Sequence, residues 1–150
     1  MQSDEHWMRR AIEMAIEGGA DGEVPVGALI VDAAGELVAE SRNRPIALND
    51  PTGHAEILAL RAAGKKIGNY RLDGMTLYCT LEPCAMCAGA LVNARIQRLV
   101  FGARDLRFGG VRSKFQIADS ELLNHSVEIF EGVLGAACTE ILLKFFKSRR

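Results

Sequence analysis

No part of the sequence stays apolar for the roughly 18 residues that a membrane-spanning helix needs, so a helical membrane protein is excluded. The first ten residues lack the apolar centre of a signal peptide and carry Asp4, Glu5, Arg9 and Arg10 instead, which predicts a cytoplasmic chain. Repeats, low-complexity tracts and linker-like stretches are missing as well. The 150 residues therefore predict one domain, 1–150, large enough to bury a real core. With 49% hydrophobic and 25% charged residues, disorder is excluded and an ordinary globular fold is expected.

Net charge is also nearly absent, at −1, but the balance hides an asymmetry. Arg95 to Lys114 holds six basic residues against Asp105 alone, and Lys144 to Arg150 holds four against none. Two concentrated basic segments on an otherwise acidic chain are what a phosphate-binding footprint requires, although solvated loop and helix ends would also produce them. Cysteine is limited to Cys79, Cys84, Cys87 and Cys138. In a reducing compartment a close pair such as Cys84 and Cys87 points to metal or redox chemistry rather than to disulfides.

Periodicity sets the expected elements. Residues 5–18 predict a helix with Trp7, Met8, Ala11, Ile12, Ala15 and Ile16 on its apolar stripe and Gly18-Gly19 as its end. Residues 24–31 read as a buried strand, and 36–41 as its hairpin partner across the turn 32–35. The stretch 43–53, with Pro45, Asn49, Asp50, Pro51 and Gly53, reads as a loop. Helices follow over 54–65, over 83–94 with Pro83 in the first turn, and over 134–147; strands are expected over 75–81, 98–101 and 126–130. That order predicts a three-layer α/β/α domain, a five-stranded mixed sheet with helices on both faces.

The chemistry lies in two short motifs, His54-Ala55-Glu56 and Pro83-Cys84-Ala85-Met86-Cys87. Cys84 and Cys87 are three apart at a helix start, so they share a face, and the positive end of the helix dipole favours the thiolate that binds metal. Two thiolates and one imidazole form a catalytic type of zinc site, with the fourth tetrahedral position open to water. Zinc there acidifies the water, and Glu56, two residues after His54, is placed to take and return its proton. A structural zinc site would need a fourth protein ligand. Cys79 and Cys138 fall on apolar faces and read as inert core thiols, and His6 and His125 read as surface or structural histidines.

Together with Glu23 to Ala28, Asn43-Arg44-Pro45-Ile46, Asp50-Pro51-Thr52, Asn69-Tyr70-Arg71-Leu72, Thr80 to Ala90, Val100 to Asp105 and Phe145-Phe146, these motifs carry a resemblance over nearly the whole chain. The sequence resembles the bacterial tRNA adenosine deaminases of the cytidine-deaminase superfamily. The resemblance implies a cytidine-deaminase-like fold, one Zn2+ per subunit, a homodimer, and conversion of adenosine to inosine at the wobble position of a tRNA anticodon loop. It also implies site residues. Asn43 would hydrogen-bond the base, Val26 would line its pocket, and the Ala55 and Cys84 backbone would frame the base. Asp105 would reach the ribose, Arg104, Lys147, Arg149 and Arg150 would meet phosphates, and Phe146 would shape the site for a flanking nucleotide. Phe145 continues the apolar stripe and reads as core, and Glu82 reads as a structural acid.

Three places depart from the bacterial pattern: Gly53, where alanine is usual; Cys79, where valine is usual; and Leu106-Arg107-Phe108-Gly109-Gly110, which looks more like the catalytic subunit of the eukaryotic wobble deaminase. Two rivals use related parts. A free-base or nucleoside deaminase acting on guanine or cytosine would keep the zinc and the glutamate but have no need of the basic segments. A non-catalytic zinc- or RNA-binding module would have no need of Glu56.

Overall fold

The computed structural model describes residues 1–149 of the chain. Its frame is one five-stranded sheet of β1 (Gly27–Val31), β2 (Leu37–Arg42), β3 (Thr76–Leu81), β4 (Arg98–Ala103) and β5 (Glu128–Glu131), in the spatial order β2-β1-β3-β4-β5. β1 pairs antiparallel with both β2 and β3, whereas β3, β4 and β5 are parallel, so the sheet is mixed as expected. Helices α1 (Asp4–Ala20) and α5 (Gly135–Ser148) cover one face. Helices α3 (Ala55–Ile67) and α4 (Ala85–Asn93) cover the other. A single-turn helix, α2 (Pro45–Leu48), interrupts the segment read as loop.

Strand alternation divides the core. Ala28 and Ile30 of β1, Leu77 and Cys79 of β3, and Leu99 and Phe101 of β4 point toward α3 and α4. Leu29, Val31, Tyr78 and Val100 point the other way, where Met8, Ala11 and Cys138 meet them. β1 is buried on both faces, which is why its sequence runs apolar rather than alternating. Cys79 and Cys138 are buried in these two clusters, as their positions in the sequence imply.

Element boundaries differ from expectation where long-range packing overrides local signals. Gly18 and Gly19 do not end α1; Gly18 is buried with the Arg42 side chain against it, and Gly19 faces Pro25. The stop comes at Gly22, whose φ of 86° lets the chain reverse while the Glu23 N–H returns to the Gly18 carbonyl at 3.0 Å. Gly64 likewise lies inside α3, and Gly68, at φ 77°, ends it. Ile16, expected on the apolar stripe, is exposed, and Met14 is buried in its stead. The Val24-Pro25-Val26 stretch stays outside β1, where Pro25 has no N–H to give a ladder. Among the described residues, no helix is long and apolar enough to cross a membrane.

Candidate active site

Two helix starts bring the donor atoms together. His54 is the N-cap of α3 and Cys84 the N-cap of α4, both in extended backbone (φ −73° and −72°). Neither side chain caps its own helix, so the imidazole and the thiol are available to each other. Pro83 falls one residue ahead of the cap rather than inside the first turn, where the sequence placed it. His54 Nδ1 lies 3.6 Å from Cys84 Sγ and 3.5 Å from Cys87 Sγ, and all three donor atoms fall within 4.8 Å of one another. Tetrahedral zinc with ordinary Zn–N and Zn–S bonds sets its nitrogen and sulfur ligands about 3.5 Å apart, so this donor set fits that ion. Among the described residues, the group consists of these three side chains alone.

The site's electrostatics follow from the contacts. A hydrogen bond with Cys87, helped by one with His54, outweighs burial and draws the Cys84 thiol down to about 4. The same Cys84 contact and burial push Cys87 up, and Cys84 raises His54. Thiolate at Cys84 beside the positive end of α4 is the protonation state a metal requires. Glu56, the second residue of α3, is only 4% exposed, and burial raises its carboxyl above the usual range, with His54 pulling the other way.

His54, Glu56 and Cys84 form the floor of a cavity of about 710 Å3. On one side stand Val26 and Asn43, joined where the Asn43 N–H donates to the Val26 carbonyl at 3.0 Å. Buried Glu23 holds this side in place, its carboxylate accepting from the N–H groups of Ile46 (3.2 Å) and Ala47 (2.8 Å) at the start of α2. Asp50 completes the approach to His54 by accepting from both the N–H and the hydroxyl of Thr52, at 2.8 and 2.7 Å. The opposite wall is the segment after β4, Arg104 to Phe108, and α5 contributes Leu142 and Phe146. Fully buried Cys87 lies beneath the floor.

Ala55 is fully buried in the core cluster under α3 and does not line the cavity. Arg104 lines it, but its guanidinium is paired with Glu131 through bonds of 2.7 and 3.1 Å. Asp105 lines it while its Oδ1 accepts from the N–H groups of Arg107 and Phe108, each at 3.1 Å. Lys147 is exposed in the last turn of α5. Arg149 lies over the Phe145 ring, 4.5 Å from its centroid, away from the cavity wall. Arg150 lies outside the described residues. His125 is structural, its Nε2 lying 2.7 Å from the Ile96 carbonyl. Sequence reasoning missed the lining residues Val24, Leu81, Leu106, Arg107, Phe108 and Leu142. Only the departure from the bacterial pattern at Leu106–Gly110 could have drawn attention to that wall.

The sequence model of the cytidine and deoxycytidylate deaminase zinc-binding region matches residues 1–103. The tRNA-specific adenosine deaminase of Haemophilus influenzae is 50% identical over 147 residues, covering 98% of this chain and 85% of that protein. A solved structure from work on A-to-I editing by tRNA:A34 deaminases at the wobble position superposes with a TM-score of 0.88 at 42% identity, covering 91% of this chain and 99% of the other. The guanine deaminase of Bacillus subtilis is also similar, with a TM-score of 0.67 at 33% identity over 99% of this chain and 94% of its own. The chain belongs to the zinc-binding cytidine and deoxycytidylate deaminase family, within its branch of tRNA-specific adenosine deaminases.

Proposed function

We propose that this chain hydrolyses adenosine to inosine at the wobble position of a tRNA anticodon loop, releasing ammonia. The observation that carries the reading is the buried carboxylate of Glu56 on the same cavity floor as His54 and Cys84, in a chain half-identical to a tRNA-specific adenosine deaminase. His54, Cys84 and Cys87 hold one zinc ion per chain. When bound, zinc supplies the positive charge that brings the pKa of water toward neutrality.

The protein's own groups do the rest. Glu56 takes a proton from the attacking water as the oxygen bonds to C6 of the base. Shielded from bulk solvent, it returns that proton to the ring nitrogen, then carries the proton of the new C6 hydroxyl to the amine as the C6–N bond breaks and the carbonyl forms, so that adenosine and water become inosine and ammonia. The target base leaves its stack at a cost of a few kcal/mol, least in a loop where stacking is already broken. Asn43 hydrogen-bonds the flipped base, Val26 packs against it, and the backbone at Cys84 frames it, with Ala55 supporting that floor from the core. Asp105 meets the ribose, and Phe146 meets a flanking nucleotide. Arg104, Lys147, Arg149 and Arg150 contact phosphates. The chain acts as one domain, 1–150, in a cytoplasmic homodimer.

A second reading, free-base or nucleoside deamination, draws support from the likeness to guanine deaminase. One experiment separates the two. A tRNA pool is incubated with purified protein and sequenced for adenosine-to-guanosine changes. A change confined to a wobble position is expected. Ammonia released from free guanine, cytidine or adenosine, with no change in the RNA, would overturn the tRNA reading.

A further inference from the structure

Glu82 is a buried carboxylate that no step above uses. It stands between the end of β3 and the Pro83–Cys84 turn and is 2% exposed. Burying a carboxylate is costly unless its lone pairs are used, and here they all serve one segment. Oε1 accepts from the Asp105 N–H at 3.0 Å and from the Ser113 hydroxyl. Oε2 accepts from the N–H groups of Val111 (3.1 Å), Arg112 (2.7 Å) and Ser113 (2.9 Å). Burial alone would raise this carboxyl, but the donors outweigh it and hold it below the usual range. One side chain just past the end of β3 thus fastens both ends of the loop that follows β4.

The loop is also seated directly on the metal turn. The Gly110 N–H donates to the Pro83 carbonyl at 2.8 Å, and Gly109 pairs with Cys84 in an isolated antiparallel bridge. A Cβ on Gly110 would lie 2.7 Å from the Ala85 nitrogen, and one on Gly109 would lie 2.6 Å from the Asp105 carbonyl oxygen, so this approach demands glycine at both positions. Between the fastened ends, Asp105 turns the chain and Leu106, Arg107 and Phe108 face the cavity.

We propose that Glu82 is a positioning residue for substrate recognition: by latching both ends of the Asp105–Ser113 loop to the metal turn, it sets the distance between the cavity wall and the reactive floor. It acts through that loop rather than on the reacting atoms. The kinetic part of this inference rests on the RNA reading of the site, whereas the latch itself does not.

Glu82→Gln is the test, because the amide keeps the shape but presents a donor to N–H groups that need an acceptor. Hydrogen exchange should show lost protection in amides 105–113, with β3 and α3 unaffected and zinc content as in the wild type. KM for an anticodon stem-loop should rise about tenfold while kcat changes much less, since the wall is displaced and the floor is not. In an Asp105→Ala background the further effect of Glu82→Gln on KM should vanish, because both changes act on one wall. Unchanged exchange in 105–113, or KM effects that simply multiply, would overturn the proposal. Should Glu82→Gln fail to fold, Ser113→Ala removes a single donor; it should raise KM in the same direction by about twofold to threefold, and an unchanged KM would count against the latch. If the wild type makes no inosine in RNA, the functional reading fails while the exchange experiment still decides the latch.

Discussion

Glu56→Gln isolates the proton shuttle from everything else in the site. The replacement has the same shape and no titratable proton. Because the carboxylate lies outside the three-donor group, zinc content should not fall. Burying a neutral amide costs less than burying a carboxylate, so the melting temperature should not drop either. Turnover is another matter. A positioned acid–base group contributes about 10²- to 10⁴-fold, equivalent to about 3–5 kcal/mol of barrier. The structure argues for the upper part of that range, since a side chain only 4% exposed leaves bulk water little opportunity to carry the proton in its place. The assay is single-turnover inosine formation on an anticodon stem-loop with enzyme in excess, which separates chemistry from product release. A rate within about threefold of the wild type, in a folded and zinc-loaded variant, would refute the assignment of Glu56 as the shuttle. Loss of zinc in the same variant would show that the carboxylate is a ligand.

Other perturbations test the frame and the rim. In Gly27→Ala, the new Cβ would lie 1.9 Å from the Ala11 carbonyl oxygen and 2.8 Å from the Ala15 nitrogen; α1 must then lift from β1, at an expected cost of about 3 kcal/mol in urea unfolding, and an unchanged midpoint would contradict this packing. The Arg112 guanidinium holds the Asp119 carboxyl below its usual range, so the pair's stabilisation is present above the unfolded value of about 4 and disappears as pH falls through the lower, folded one. Asp119→Asn should therefore cost about 1 kcal/mol at neutral pH and progressively less in acid, as read from melts across pH. Glu131→Gln releases Arg104 at the cavity rim; RNA binding should tighten and its logarithmic salt slope steepen by about 0.7, whereas an unchanged slope would place Arg104 away from phosphates.

The sheet and its two helical layers were legible because burial writes periodicity directly into sequence: β1 is apolar throughout since both of its faces are covered, and α5 carries a visible stripe with Cys138 on it. Metal chemistry was legible because its donors sit in two compact motifs, even though their convergence across thirty residues had to be assumed. What was not legible depends on contacts far along the chain. Whether Gly18 or Gly22 stops α1 is decided by Arg42 packing on the former. The α2 turn hidden in a proline-rich stretch is stabilised by Glu23, more than twenty residues upstream. Arg149, expected at phosphates, lies over the Phe145 ring, a contact that no local spacing announces. The cavity wall at Leu106–Phe108 has no periodic signature at all, because its shape is imposed from Glu82, just past the end of β3.

Parallel β3 and β4 end at the same rim, and each delivers something different there. One leads into the cysteine turn; the other leads into Leu106, Arg107 and Phe108, whose side chains are exposed while their backbone is held by Asp105 and by the latch on either side. Reactivity and taste are therefore mounted on separate struts of the scaffold. An engineer could randomise those three façade positions and audition new nucleobases or strands while leaving every atom of the furnace untouched.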